Sequence, residues 1–142
     1  MLELKAKIIL ARVLVLLFVR MYHILLLKRI KPPEAECWSI PGGAVEFGET
    51  IEDAIKREVR EELDVEIDII TLLGVTNHIL PMENLHWISP NFLVKICTGH
   101  PVNAEPHKHS DLEWFAFHDL PQNLTMTTQN ALYFLNLLKP IR

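Results

Sequence analysis

The spacing of apolar residues changes along the chain and predicts a set of strands arranged around one central helix. Apolar residues fill every position of 8–19 except Arg12, and a second apolar run follows at 23–28. Runs of this kind are typical of strands that are buried on both faces. Similar patterns predict further strands at 44–47, 65–69, 72–80, 86–96 and 112–117, and a closing helix at 130–138. The arrangement favours an α/β (α+β) fold in which helices pack on the faces of a mixed sheet.

The central helix is predicted at residues 50–63, where apolar positions recur with the period of an α-helix. Thr50 is the predicted N-cap, and Asp53 follows three residues later. The arc expected to be buried carries five apolar side chains, those of Ile51, Ala54, Ile55, Val59 and Leu63. The carboxylates of Glu58 and Glu62 fall in the same arc, and that of Glu61 lies at its edge. Because an unpaired buried charge is costly, a cation is expected beside them.

The three glutamates point to a metal site. Glu58, Glu61 and Glu62 have the i, i+3, i+4 spacing that brings side chains together on one side of a helix. Carboxylate oxygens suit Mg²⁺ or Mn²⁺, and three of them can share one or two such ions. The alternative is an exposed acidic helix whose charge is balanced by the basic residues of the same helix.

The residues before the helix decide between these alternatives. Gly43 is followed by five residues and Glu49, then by seven residues and the segment 57–65, REVREELDV. This spacing resembles the signature box of the Nudix (MutT-related) hydrolases, and eight of its nine fixed positions match. The departure is Asp64, where the family has glycine. Glycine just past a helix end usually adopts a left-handed conformation, which Asp tolerates better than most residues.

The resemblance implies a Nudix-type α/β/α sandwich with a central catalytic helix. It also implies Mg²⁺-dependent hydrolysis of a phosphoanhydride bond in a nucleoside diphosphate linked to another group, with Mn²⁺ as a possible substitute. The implied metal ligands are the Gly42 carbonyl and the three box carboxylates, and the implied residues beside them are Arg57, which orients the carboxylates, and Glu49. The box residues carried over are therefore Gly42, Glu49, Arg57, Glu58, Glu61 and Glu62.

Other candidate site residues lie outside the box. Arg29, at the end of a predicted strand, is a candidate for phosphate binding, and a solvated charge at the strand end is the alternative. Asn123 is a candidate for a hydrogen bond to a base edge. Enzymes of this family also draw a further carboxylate from a loop, for which Glu105 and Asp111 are both candidates here. The general base stays open between such a loop carboxylate and a box glutamate.

The loop 100–111 also contains His107 and His109. Histidines two residues apart in a polar loop that contains proline are expected to be solvated rather than to bind metal.

Length and charge narrow the class of protein. The 142 residues predict a single domain, 1–142, and a net charge of −4 with a pI near 6.0 argues against a nucleic-acid polymer as partner. We expect a small-molecule nucleotide as partner and a monomer or homodimer. Cys37 and Cys97 have no zinc-site spacing, which favours free thiols in the cytoplasm. The apolar run 8–19 is too short to span a bilayer, so no membrane attachment is expected.

Substrate choice is open at this point. The short chain favours a MutT-like nucleoside triphosphate pyrophosphohydrolase. Pro81 lies sixteen residues beyond Val65, about where ADP-ribose-cleaving members carry a proline. An ADP-ribose or nucleotide-sugar pyrophosphatase is therefore the alternative, and a catalytically silent module that senses a nucleotide is a third.

Overall fold

A computed structural model describes residues 12–17 and 22–138 of the chain. Its strands and helices are, in order, β1 (Arg12–Leu17), β2 (His23–Arg29), β3 (Trp38–Ser39), β4 (Gly42–Ala44), α1 (Ile51–Leu63), β5 (Glu66–Leu80), β6 (Leu85–Thr98), β7 (His109–Ala116) and α2 (Met126–Leu137). A 3₁₀ turn, Pro81–Glu83, joins β5 to β6.

The strands form two sheets. The larger has the order β4-β1-β6-β5, with β1 parallel to β6 and the other neighbours antiparallel. The smaller has the order β3-β2-β7 and is antiparallel throughout. The predicted α+β class with mixed strands is confirmed, although the strands divide between two sheets where the pattern predicted one.

Strand β2 separates two apolar cores. Leu25 and Leu27 pack in the core that contains the buried face of α1, while Ile24 and Leu26 pack in the core that contains Ala131 of α2. This alternation follows from the two-residue period of a strand. Each helix therefore covers one core. Packing in the first core holds α1 near β4, the strand that contains Gly42 and Gly43.

Helix α1 agrees closely with the prediction. The hydroxyl of Thr50 accepts a hydrogen bond from the backbone N–H of Asp53, as expected of an N-cap. Ala54, Ile55, Val59, Glu62 and Leu63 are buried. Ile51 was expected in that set, but its side chain is 37% exposed because the first turn projects beyond the core.

Several element boundaries differ from those predicted. The strand predicted at 44–47 is instead the short β4 at Gly42–Ala44, and Phe47 is fully exposed. The strands predicted at 65–69 and 72–80 are one long strand, β5, whose pairing with β6 is interrupted by register shifts. Such bulges break the alternation of side chains, so one strand looks like two in the sequence. Strand β7 begins three residues before the predicted position, and α2 four residues before.

Part of the predicted N-terminal strand, 8–19, lies outside the described residues; β1 accounts for Arg12–Leu17. Neither helix in the described parts of the chain is long and apolar enough to cross a membrane.

Asp64 ends α1 in the left-handed conformation, with φ 56° and ψ 44°, and its N–H donates to the carbonyl of Arg60. The left-handed region costs a β-branched residue more than it costs Asp, and costs glycine nothing. We expect Asp64→Gly to be at least as stable as the wild type and Asp64→Val to lose about 1–2 kcal/mol. Urea unfolding measures both. Equal stability of the two variants would contradict the assigned conformation.

Candidate active site

The site begins where the glycine turn meets α1. Strand β4 pairs with β1, which places Gly43 directly against the side chain of Glu58. A Cβ built on Gly43 would lie 2.2 Å from the carboxyl carbon of Glu58, far inside van der Waals contact. Glycine at this position therefore leaves the room that the Glu58 carboxylate occupies.

Arg57 organises the carboxylates around it. Its Nε and Nη2 donate to the two oxygens of Glu49 at 2.7 and 2.9 Å, and Nη2 also donates to the carbonyl of Ala44 at 2.8 Å. Its Nη1 donates to Glu58 at 2.9 Å and to Glu61 at 3.3 Å. The guanidinium lowers the pKa of Glu49 to about 2, and the hydrogen bond to Glu49 is the main cause that raises the pKa of Arg57. One side chain thus ties the turn before α1 to two of the three box glutamates on it.

Glu62 is the most deeply buried of the box carboxylates. Its side chain is only 6% exposed, and its Oε1 accepts a hydrogen bond from the N–H of Gly42 at 3.0 Å. Burial raises the pKa of Glu62 well above its usual value, and burial likewise raises the pKa of Glu58. The negative charges of Glu58 and Glu105 raise the pKa of Glu62 further. Two neighbouring buried carboxylates of this kind are stabilised by a cation.

His109 joins the site, contrary to the expectation that it is solvated. It is buried, and its Nε2 lies 3.6 Å from Oε2 of Glu62. Burial is the main cause that lowers the pKa of His109 to about 4, so the ring is neutral at physiological pH. The pairing of β2 with β7 shifts register between Lys28 and Arg29, and such a bulge turns His109 inward. No feature of the sequence marks this bulge, which explains why His109 was missed. His107 is exposed, as expected.

Part of this site lines a cleft of about 500 Å³: Gly43, Glu58, Glu62 and His109 line it, whereas Glu49, Arg57 and Glu61 do not. One wall is formed by the glycine turn and α1, and the other by the loops that follow β2 and precede β7. The second wall supplies basic residues, and the charged and histidine side chains lining the cleft are those of Arg29, Lys31, Glu58, Glu62, Glu105, His107, Lys108 and His109. The cleft thus has acidic side chains on one wall and mostly basic ones on the other.

The remaining predicted residues separate into two groups. Arg29 lines the cleft and donates through Nε to the carbonyl of Pro33 at 2.9 Å. Glu105 also lines the cleft and pairs with Lys108 at 3.3 Å, whereas the exposed Asp111 does not line it. Asn123 lies outside the cleft, and its side-chain amide donates to the carbonyl of Glu36 at 2.6 Å. The loop carboxylate at the site is therefore Glu105, and Asn123 holds the loop after β2.

The carboxylates of Glu58, Glu61 and Glu62 are of the ligand type that a hard divalent cation prefers. Glu58 and Glu61 share the single positive charge of Arg57, so negative charge is in excess. Within residues 12–17 and 22–138, no three Asp, Glu, His or Cys side chains converge as metal ligands. Glu58 and Glu61 are instead drawn to Arg57. The assignment of Gly42, Glu58, Glu61 and Glu62 as metal ligands therefore stays a prediction.

A profile of the NUDIX domain matches residues 9–138. The chain belongs to the Nudix family. The predicted family, that of the Nudix hydrolases, is thereby confirmed.

Individual solved structures and curated sequences also support membership of the Nudix family. A MutT Nudix hydrolase from Burkholderia pseudomallei superposes with a TM-score of 0.84 at 41% identity, covering 88% of this chain and 96% of that one. An ADP-ribose pyrophosphatase from Methanocaldococcus jannaschii is 35% identical over 70% of this chain. An NAD-capped RNA hydrolase from Pseudomonas putida is 36% identical over 59% of it. The chain spans 57% of the archaeal relative and 29% of the Pseudomonas one, so their activities do not transfer directly.

Two glycines give a matched pair of variants. In Gly43→Ala the new methyl group displaces the flexible end of Glu58, so we expect Mn²⁺ affinity to fall at least tenfold with little loss of stability. In Gly74→Ala the methyl group meets the ring of Phe134 at 2.7 Å, and overpacking of this kind costs about 1–3 kcal/mol. We expect Gly74→Ala to lose stability and keep its Mn²⁺ affinity.

Electron paramagnetic resonance of Mn²⁺ and thermal unfolding measure the two effects. If Gly43→Ala bound Mn²⁺ as tightly as the wild type, the contact with Glu58 would not matter for metal binding.

Proposed function

We propose that the protein hydrolyses a phosphoanhydride bond in a nucleoside diphosphate linked to another group, with Mg²⁺ as cofactor and Mn²⁺ as a substitute. The observation that carries this proposal is the distribution of charge in the 500 Å³ cleft. Buried carboxylates on α1 face a wall that carries Arg29, Lys31 and Lys108. A diphosphate bridging a divalent cation on one wall and basic side chains on the other would satisfy both.

Each group has a distinct part in this proposal. Glu58, Glu61, Glu62 and the carbonyl of Gly42 would hold Mg²⁺, which when bound neutralises phosphate charge and lowers the pKa of an attacking water. Arg57 keeps Glu58 and Glu61 in place through its hydrogen bonds, and Glu49 in turn fixes Arg57. Arg29 and Lys108 supply positive charge for the phosphate oxygens.

Proton removal from the attacking water requires a carboxylate near the cleft. Glu105 meets this requirement, because it lines the cleft and its side chain is 17% exposed. Its carboxylate lies 3.3 Å from Nζ of Lys108, which lines the same cleft. We therefore favour Glu105 over Asp111 as the loop carboxylate, with a box glutamate as the alternative base.

The substrate class we favour is a nucleoside triphosphate, cleaved to a monophosphate and pyrophosphate as in MutT-like enzymes. Support comes from the likeness to the Burkholderia MutT Nudix hydrolase, which extends over nearly the whole of both chains. ADP-ribose is the second candidate. It is supported by the archaeal relative and by Pro81, which opens the 3₁₀ turn between β5 and β6.

The compartment we infer is the cytoplasm. Cys37 and Cys97 are both free thiols, as expected in a reducing environment.

A substrate screen separates the candidates. Nucleoside triphosphates, oxidised nucleotides, ADP-ribose, nucleotide sugars and dinucleoside polyphosphates are each incubated with Mg²⁺. The nucleotide products are separated and measured by chromatography, together with released pyrophosphate, because hydrolysis of ADP-ribose gives two monophosphates and no pyrophosphate. We expect pyrophosphate release from triphosphates to be fastest. Faster cleavage of ADP-ribose would favour the second candidate, and no cleavage of any class would favour a nucleotide-sensing module.

The box carboxylates give a direct test with a matched control. We expect Glu61→Gln and Glu62→Gln to lower kcat by orders of magnitude while far-UV circular dichroism stays unchanged, because a neutral amide is a poorer ligand for a hard cation. Glu52→Gln removes the same charge from the exposed first turn of α1 and should keep wild-type kcat. Near-normal turnover by both Glu61→Gln and Glu62→Gln would overturn the assignment of the metal ligands.

A further inference from the structure

Residues 123–128, the α2 anchor, comprise the loop before α2 and its first residues, and they bind to both walls of the cleft. One set of contacts reaches the chain that leads into the glycine turn. The other set reaches the loop that follows β2, which carries basic residues. The α2 anchor lies outside the signature box and outside the lining of the 500 Å³ cleft, so it can act on the site only through these contacts.

A closed chain of hydrogen bonds joins the α2 anchor to Ile40, two residues before Gly42. The N–H of Ile40 donates to Oγ1 of Thr128 at 2.9 Å, and this oxygen lies 2.7 Å from Oγ1 of Thr125. The hydroxyl of Thr125 donates to Oγ of Ser39 at 3.2 Å, and the Ser39 hydroxyl donates to the carbonyl of Ile40 at 3.0 Å. The chain therefore starts and ends on the backbone of one residue.

All bonds of this chain are donated in the same direction. Because the Thr125 hydroxyl has one proton and donates it to Ser39, the bond between the two threonines is donated by Thr128. Hydrogen bonds that follow one another in this way polarise and strengthen each other. Ser39, Ile40, Thr125 and Thr128 are all at most 9% exposed, so water has little access to these groups. Three hydroxyl groups thus fix the backbone at Ile40.

The position of Ile40 matters for the site because Gly42 follows it after only one residue. The N–H of Gly42 donates to Oε1 of Glu62 at 3.0 Å, and the carbonyl of Gly42 is a predicted ligand of the cation. Pairing with β1 holds the turn from Gly42 onward, whereas the hydroxyl chain holds the residues that lead into it. A shift of the backbone at Ile40 would therefore move the glycine turn relative to α1.

The second set of contacts holds the loop after β2. Oε2 of Glu34 accepts a hydrogen bond from the N–H of Met126 at 2.8 Å, where the positive end of the α2 dipole favours a carboxylate. Arg29 depends on the same loop, because its Nε donates to the carbonyl of Pro33, the residue before Glu34. The bond between Glu34 and α2 thus limits where the Arg29 guanidinium can lie.

From these observations we propose that the α2 anchor sets the spacing of the two walls. The Thr128 hydroxyl positions the glycine turn for the cation, and Glu34 positions Arg29 for the phosphate oxygens. The proposal rests on the proposed function, which assigns the cation to one wall and the phosphates to the other. It makes Thr128 and Glu34 positioning residues and gives neither a part in bond cleavage.

Two probes test the two walls separately. Mn²⁺ alone, titrated by electron paramagnetic resonance, reports on the glycine turn, and inorganic pyrophosphate, titrated by calorimetry at saturating Mg²⁺, reports on the basic wall. Thr128→Val keeps a branched side chain of the same size but removes the acceptor of the Ile40 N–H. We expect it to raise the Kd of Mn²⁺ about tenfold and to leave the Kd of pyrophosphate unchanged. Thr128→Ser keeps the hydroxyl and should restore the affinity for Mn²⁺.

The opposite pattern is expected at Glu34. Glu34→Ala removes the acceptor of the Met126 N–H and should raise the Kd of pyrophosphate about fivefold, with the Kd of Mn²⁺ unchanged. Loss of a negative charge near the cleft would by itself favour pyrophosphate, so a higher Kd identifies the lost hydrogen bond. Glu34→Gln removes the same charge but keeps an acceptor, and it should restore most of the affinity for pyrophosphate.

Two control variants separate positioning from loss of stability. Gly74→Ala, which is expected to lose stability, should keep both Kd values at a temperature where thermal unfolding shows it to be folded. Thr71→Val makes the same chemical change as Thr128→Val at an exposed threonine of β5, whose hydroxyl donates to the carbonyl of Leu72 at 3.3 Å. It should also keep both Kd values.

The outcomes distinguish the positioning role from the proposed function. Wild-type Kd values for both probes in Thr128→Val and Glu34→Ala would overturn the positioning role alone. A rise of both Kd values in each of these variants, or an equal rise in Gly74→Ala, would also overturn it, because such a result indicates general destabilisation. The predicted pattern of Kd values without hydrolysis of any nucleotide would overturn the proposed function and leave the positioning role standing. A wild-type protein that bound neither probe would overturn both.

Discussion

The hydrogen bonds of the Arg57 guanidinium are the interaction on which the site depends. The group lies between the glycine turn and α1 and donates to Glu49, Glu58, Glu61 and the carbonyl of Ala44. A lysine could not replace it, because an ammonium group lacks the planar set of five donors. Since Glu49 precedes α1 and Glu58 lies within it, the same group also ties the turn to the helix. Arg57 therefore both holds the turn against α1 and fixes the positions of the Glu58 and Glu61 carboxylates.

The site requires that acidic side chains be buried, which is energetically unfavourable without a positive partner. Glu62 lies on the face of α1 that also carries Ala54, Ile55 and Val59, so its carboxylate is held among core residues. The N–H of Gly42 donates a hydrogen bond to it, and Nε2 of His109 lies 3.6 Å from it. This arrangement would be unfavourable in a purely structural helix, and it becomes intelligible if a cation and a diphosphate enter the cleft and complete the electrostatics.

The sequence predicted those parts of the site that depend on short-range spacing. The positions of Arg57 and the glutamates on α1, the N-cap at Thr50 and the glycine turn all follow from helical geometry and from the fixed distances between these residues. Features that depend on strand pairing were not predictable. The bulge that turns His109 inward, and the register shifts that make β5 one long strand, arise from contacts with other strands.

The central claim is that the carboxylates of Glu58, Glu61 and Glu62 on α1 bind a divalent cation, and a crystal of the protein soaked with Mn²⁺ tests it most directly. Anomalous scattering locates Mn²⁺ without reference to the protein atoms around it. The account predicts anomalous density within ligand distance of Glu58, Glu61, Glu62 and the carbonyl of Gly42, and its loss in crystals of Glu62→Gln. Density that appears only elsewhere, or that persists unchanged in Glu62→Gln, would contradict the account.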